Sequence, residues 1–328
     1  MTGWREERGV CGRRGREHLL KILVRVGVSI AALALVLRSV DLGLLWMRVR
    51  AMSPMWLLLA VAAYLFMLTI SVWRWHRLLH AQHIEVPRKR LLESTWVSLF
   101  FNNFLPSNIG GDVIRIADTA PAAGSKTLAT TVILVDRALG LVALVIVATG
   151  GALLASLRGI HVPGERWLWV ATVAGLVAAV PVIAIPKLVG HLLTPVRALD
   201  RPWVTERAQR LEDAVVKFRA APGALAGAFA GALAVQVSLV LFYLLSARGL
   251  SIPLPIFLGA VLIPVSLAVQ MVPVSIGGFG VREAVFAFFF VRFGLPSDAG
   301  VALSLVSTGL TMIISMVGGV IFLSRRSN

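Results

Sequence analysis

Charge is scarce in this sequence, and acid is scarcer than base. Asp, Glu, Lys and Arg make up only 15% of the 328 residues, against about 25% in soluble globular chains. That shortage excludes an ordinary soluble domain. Cysteine occurs once, as Cys11, which excludes an internal disulfide and a Cys-based zinc or iron–sulfur centre. Acidic residues number 16 against 32 basic ones, a formal net charge of +16. Nucleic acid is not the expected partner. The basic residues are separated by long apolar runs and form no stripe with interleaved aromatics. What is abundant is apolar: hydrophobic residues reach 58%, against roughly 45–50% in soluble chains. The composition implies an integral membrane protein whose positive charge meets anionic headgroups.

A helix needs about 20 apolar residues to cross the hydrocarbon core. Runs of that order are Leu19–Leu37, Pro54–Val72, Ala138–Leu157, Trp167–Pro186, Gly223–Ser246 and Pro296–Leu323. The first is too long for a secretory signal and reads as an uncleaved anchor. Lys21 and Arg25 near its start would snorkel to the headgroups. Segments 1–18, 74–90, 187–222 and the tail after Leu323 carry nineteen Lys and Arg, while 38–53, 158–166 and 247–252 carry six. This bias places both termini in the cytoplasm of a multi-pass cell-membrane protein. The stretch 187–222 reads as a cytoplasmic connector. Within it, Arg201–Arg219 alternates basic residues with Leu211, Val215, Val216 and Phe218, as an amphipathic helix on the inner leaflet would.

Two segments do not fit as simple spans. Leu91–Leu105 is short and polar and runs into Pro106-Ser107-Asn108-Ile109-Gly110-Gly111-Asp112-Val113-Ile114-Arg115. Pro253–Val272 runs into Pro273-Val274-Ser275-Ile276-Gly277-Gly278-Phe279-Gly280-Val281-Arg282-Glu283. The pattern Pro-x-x-Ile-Gly-Gly-x-x-x-Arg thus recurs at an offset of 167 residues, with Asn103 and Gln270 at the same distance before each proline. Both segments read as re-entrant hairpins, because irregular backbone at membrane depth is tolerated only where it lines protein or a cavity.

The order span, span, broken hairpin, span occurs twice, over about 19–157 and 167–323. Each half has an odd number of full crossings, so the second is inverted relative to the first. The expected fold is one all-α membrane domain over 1–328, with about six full helices and two broken hairpins in an inverted repeat. Such hairpins place half-helix ends at a central site. Proline stops the incoming helix, the glycines allow close backbone approach, and the helix after Gly-Gly offers its positive end to an anion. Arg115 and Arg282, one turn in, suit bidentate binding of phosphate or carboxylate. They could equally pair with Asp112 and Glu283 as structural locks.

Asp136 and Arg137 stand at the expected start of the third full span. Neighbours on a helix diverge by about 100°, so one is expected to face the interior and the other a partner or a headgroup. Glu93 is a further possible partner for an arginine. His76, His80 and His83 share a helical face, but Arg74, Arg77 and Arg88-Lys89-Arg90 surround them. An interfacial segment fits better there than a metal site, and no cofactor is expected. Trp73, Trp75, Trp167 and Trp169 near span ends read as belt residues.

The stretch Asn102-Asn103-Phe104-Leu105-Pro106-Ser107-Asn108-Ile109-Gly110-Gly111-Asp112 with Arg115, the stretch Val135-Asp136-Arg137-Ala138, and the second motif through Glu283 resemble a known family. They look like the transmembrane domain of lysylphosphatidylglycerol synthase, the flippase-like half of the multiple peptide resistance factor. Gly110, Gly111, Asp112, Arg115, Asp136, Arg137, Gly277, Gly278, Arg282 and Glu283 match its motif positions. Asp136 departs from the usual Glu. The resemblance implies movement of an anionic or aminoacylated lipid between leaflets, with those residues at the headgroup, and the repeat adds Asn103 and Gln270 as candidates there. Bifunctional relatives carry an aminoacyltransferase domain after the membrane domain, whereas this sequence ends at Asn328, so lysyl transfer is not implied.

The first functional expectation is therefore a lipid translocase that is not itself an enzyme, with anionic membrane lipids as partners. The alternatives are a membrane enzyme that modifies a lipid and a membrane subunit for a separate transferase. The sequence supplies neither a metal-binding Asp-x-Asp nor an activated nucleophile for the enzyme reading. Product formation would discriminate the first alternative and co-purification the second.

Overall fold

The computed structural model describes residues 43, 46–47, 50–104, 110–162, 164–184, 209, 213–271 and 278–326, with side chains for all but 176–184 and 326. The described residues contain helices and no strand. Nine of these helices form the scaffold: α1 Pro54–Ala81, α2 Arg88–Phe104, α3 Gly110–Ala123, α4 Lys126–Ser156, α5 Glu165–Ala184, α6 Pro222–Gly249, α7 Ile256–Gln270, α8 Val281–Arg292 and α9 Ser297–Arg326. Four of them, α1, α4, α6 and α9, are long and apolar enough to cross a membrane. Their outer faces carry exposed Leu58, Phe66, Leu134, Leu157, Ile313 and Val320, as expected where the surrounding solvent is lipid.

Local chemistry sets the ends. Pro54 opens α1, and Pro222 opens α6, where the missing N–H of proline has no helical partner to lose. Ser125 caps α4 by accepting a hydrogen bond from the Leu128 amide at 3.4 Å. The turn before it uses Gly124 at φ 63°.

The spans are longer than the apolar runs imply. Helix α1 continues nine residues past Val72 to Ala81, and α4 begins at Lys126, twelve residues before Ala138. Asp136 is therefore not at the start of its helix but about 15 Å into it, at 1.5 Å per residue. Leu19–Leu37 lies outside the described residues. Trp167–Pro186 is described only as far as α5 extends, and that helix has 20 residues.

The two stretches that carry the Gly-Gly motifs each break into a pair of helices shorter than the ~20 residues of a simple span. Helix α2 has 17 residues and α3 has 14; α7 has 15 and α8 has 12. Within each pair the helices pack on one another. Equivalent packing recurs between the halves: α2 against α9 mirrors α7 against α4, α3 against α4 mirrors α8 against α9, and α1 against α6 joins the two. Small residues bring these helices close. A Cβ on Gly151 of α4 would meet the Phe257 carbonyl and Ala260 of α7 at 2.8–2.9 Å, and one on Gly318 of α9 would overlap the Trp96 carbonyl of α2. Gly318→Ala is expected to force α9 off α2 and to cost about 1–3 kcal/mol, read as a lower midpoint for unfolding in detergent micelles.

One further expectation changes. Trp75 is not a belt residue: it is 1% exposed and belongs to the core beside Leu78, Leu79 and Val132. Trp73, Trp167 and Trp169 are exposed. Most of Arg201–Arg219 lies outside the described residues, but 213–220 is helical. There Ala214 and Phe218 are buried, Gln82 donates to the Ala214 carbonyl at 2.9 Å, and Val216 is exposed. Arg325 continues α9 and pairs with Glu93 of α2 at 3.0 Å and Asp118 of α3 at 3.1 Å.

Candidate functional site: a buried charge cluster beside a cavity

The first Gly-Gly pair opens α3 directly against α2. A Cβ on Gly111 would collide with Ser98 and Asn102. The Gly111 amide donates to Asn102 Oδ1 at 2.9 Å, satisfying one of the amides that a helix start leaves free. The neighbouring Asn103 points elsewhere, donating to the Thr311 carbonyl of α9 at 3.4 Å. This anchoring fixes the first turn of α3, so that Asp112 and Arg115 are both buried.

They meet the charged pair of α4. Asp136, 2% exposed, accepts from Arg74 Nε of α1 at 2.7 Å and from Arg115 Nη1 at 3.2 Å. Arg137, next along α4, pairs with Asp112 of the same α3. The divergence of adjacent helix positions thus has the expected result: one residue is buried and the other reaches a partner. The anticipated Arg115–Asp112 lock does not form. Their carboxylate and guanidinium are each taken by α4 instead. The Arg115 guanidinium also lies 4.1 Å from the Trp75 ring centroid, a cation–π contact strengthened by burial.

Beside this cluster lies a cavity of about 280 Å³. Arg74, Asp112, Arg115, Asp136, Arg137, Asn102 and Gln236 line its polar side, and Met67, Leu68, Leu99, Leu141, Leu144 and Val235 its apolar side. Among the described residues, three guanidiniums against two carboxylates leave one positive charge in surplus. Arg115 Nε and Nη2 and Gln236 Oε1 are buried without a hydrogen-bond partner. Buried polar atoms are normally satisfied, and charged ones at membrane depth are costly and mark functional sites. The arrangement can accept an anion of single charge with oxygen acceptors.

The second motif builds a separate cluster. Gly278 and Gly280 adopt φ 77° and 80°, and Gly278 sits against the Gln270 side chain as Gly111 sits against Asn102. Glu283 is fully buried. It accepts from the Gly280 amide at 2.6 Å and the Ser304 hydroxyl at 2.8 Å, and it pairs with Arg282 at 3.4 Å. Here the Arg–Glu lock does form. Arg282 Nη2 keeps no partner. Among the described residues, neither Arg282 nor Glu283 lines the cavity; the second half contributes Val235, Gln236 and Met271 to it. Gly277 lies outside the described residues.

Sequence reasoning therefore found Asp112, Arg115, Asp136 and Arg137 at one cavity, and missed Arg74, Asn102 and Gln236. Arg74 had been grouped with the interfacial arginines, yet it is 7% exposed. Gln236 carried a usable signal, as the one side-chain amide in the 28-residue apolar helix α6. The histidines do not converge: His83 lies in the turn beyond α1 at φ 58°, and no group of three His, Cys, Asp or Glu side chains forms a metal-ligand set among the described residues.

No curated protein and no solved structure matches the chain. A family model does: the lysylphosphatidylglycerol synthase TM region matches residues 22–319. With the broken helices, the repeated Gly-Gly-x-x-x-Arg pattern and this match over most of its length, the chain belongs to the lysylphosphatidylglycerol synthase TM-region family.

Proposed function

We propose that the protein moves an anionic, phosphate-bearing lipid between leaflets and that the α1–α4 cavity holds its headgroup. The observation that carries this reading is the guanidinium of Arg115, buried, only partly hydrogen-bonded, and facing a cavity with one surplus positive charge. A phosphodiester supplies one negative charge and oxygens for the free Nε and Nη2. Charge-assisted hydrogen bonds of this kind are about twice as strong as neutral ones, and neutralising the cluster relieves the cost of net charge at depth. The apolar side of the cavity suits the first carbons of the lipid tails.

Packing that repeats between the halves supports an inverted repeat with α2–α3 and α7–α8 as paired re-entrant hairpins, the arrangement in which halves rock about a site. On this reading both termini face the cytoplasm of the cell membrane, and 1–328 works as one domain. The cavity then lies on the cytoplasmic side of centre: Arg74 is about 10 Å from the end of α1 and Asp136 about 15 Å from the start of α4. Arg282, locked to Glu283, holds the second hairpin in shape. It does not hold the phosphate.

The test is leaflet exchange in proteoliposomes, with headgroup-labelled phosphatidylglycerol and phosphatidylcholine and dithionite quenching of the outer leaflet. The protein is expected to raise the quenched fraction of phosphatidylglycerol well past one half and to act on phosphatidylcholine far less. Exchange equal to that of empty liposomes for both lipids would remove the proposal. Equal acceleration of both would remove the role of the surplus charge.

A further inference from the structure

We propose a second lipid site, separate from the cavity: a groove between α1 and α2 that holds one anionic phospholipid from the adjacent leaflet without transporting it. The groove measures about 330 Å³ and is lined by Thr69, Val72, Trp73 and His76 of α1 and by Arg88, Lys89 and Leu92 of α2. That volume falls at the lower end of the ~300–1,000 Å³ typical of small-ligand sites.

The groove wall is almost wholly apolar, and its cationic residues stand at one end. His76 lies nearest the end of α1, and Arg88 and Lys89 form the start of α2, so all three cluster where the two helices connect. Leu92, Val72 and Thr69 follow inward. A lipid has the same order, with the anion at the interface and hydrocarbon below. Trp73 and Leu92 are 42% and 43% exposed, so the groove opens toward lipid and not into the protein. No carboxylate lines it among the described residues. Glu93 and Asp118, which line a neighbouring pocket with Lys89 and Arg90, are engaged with Arg325.

The groove does not lead to the cavity. On α1, at about 100° per residue, the groove residues 69, 72, 73 and 76 face roughly opposite to the cavity residues 67, 68, 71 and 74. Helix α1 stands between the two sites, and a lipid in the groove contacts none of the cavity's charges. The apolar run Leu19–Leu37 is not a complementary occupant, since it carries Lys21 and Arg25 and no carboxylate. An anionic lipid neutralises Arg88 and Lys89, and that run would add to them.

Native mass spectrometry of the purified full-length chain, titrated with phosphatidylglycerol or phosphatidylcholine of equal chain length, tests the site. One class of tightly retained phosphatidylglycerol is expected to survive Arg115→Gln. Its affinity is expected to fall about tenfold or more in Arg88→Gln/Lys89→Gln, the loss of two cations at the surface of an anionic leaflet. Arg90→Gln on the same helix, outside the groove, is expected to leave it unchanged. Equal retention of both lipids overturns the proposal, as does an unchanged affinity in the double variant. An equal loss in Arg90→Gln would show general surface charge and overturn it too. Because the retained lipid is scored in the Arg115→Gln background, failure here leaves the cavity reading standing, and failure of the cavity reading leaves this site standing.

Discussion

Asp136→Ala is expected to destabilise the fold more than any other single change at the cavity, by about 3–5 kcal/mol. Asp136 is the shared acceptor for Arg74 and Arg115, which come from α1 and α3. Its removal leaves two guanidiniums buried with no counter-charge and raises the surplus at the cavity from one positive charge to two. Breaking a buried pair is costly for that reason, even where the intact pair adds little net stability. Asp136→Asn keeps the shape and a hydrogen-bond acceptor but not the charge, so it should fall between wild type and alanine. Unfolding midpoints in detergent micelles give the order. If Asp136→Ala matched wild type, Arg74 and Arg115 would have to be solvated from the cavity, and the site would be wetter than its burial implies.

The second large effect is on transport. Arg115→Gln is expected to slow phosphatidylglycerol exchange about tenfold to a hundredfold, the loss of hydrogen bonds to a charged group at about 1.5–3 kcal/mol. Stability should change less than in Asp136→Ala, because Asp136 keeps Arg74 at 2.7 Å. Arg115→Lys retains the charge but not the planar fork, and should recover only part of the rate. Arg282→Gln separates the clusters. It breaks a pair with Glu283 away from the cavity, so it should lower the unfolding midpoint more than it changes the ratio of phosphatidylglycerol to phosphatidylcholine exchange. A selectivity loss in Arg282→Gln as large as in Arg115→Gln would place the headgroup between the two motifs.

How much of this could be read from the sequence depended on whether the information was local. The break at each Gly-Gly pair was legible, since proline and paired glycines interrupt a helix whatever surrounds them. So was the division between a buried Asp136 and a more exposed Arg137 with a partner of its own. Arg74 was not legible. It follows the apolar run ending at Val72 and is succeeded by His76 and Arg77, so hydropathy ends the span there. The helix continues, and Asp136, 62 positions away, draws the arginine inward. Burial of a charge is set by its tertiary partner, which no local pattern displays. The same holds for Trp75, whose position near a span end suggested a headgroup belt but whose ring is covered by Arg115. Spacing allowed Asp112 as a partner of Arg115. The structure gives Asp112 to Arg137, because α4 presents both members of its adjacent pair to α3 at once.

Photocrosslinking would show directly whether the cavity holds a phosphate-bearing headgroup. Phosphatidylglycerol carrying a diazirine next to its phosphate would be irradiated with the protein in a bilayer, and the crosslinked residues mapped by mass spectrometry. Occupancy of the cavity predicts adducts on Met67, Leu99 and Leu141 that disappear in Arg115→Gln, while adducts on the outer face at Phe66 and Leu134 persist. Adducts confined to the outer faces, or cavity adducts indifferent to Arg115→Gln, would contradict it.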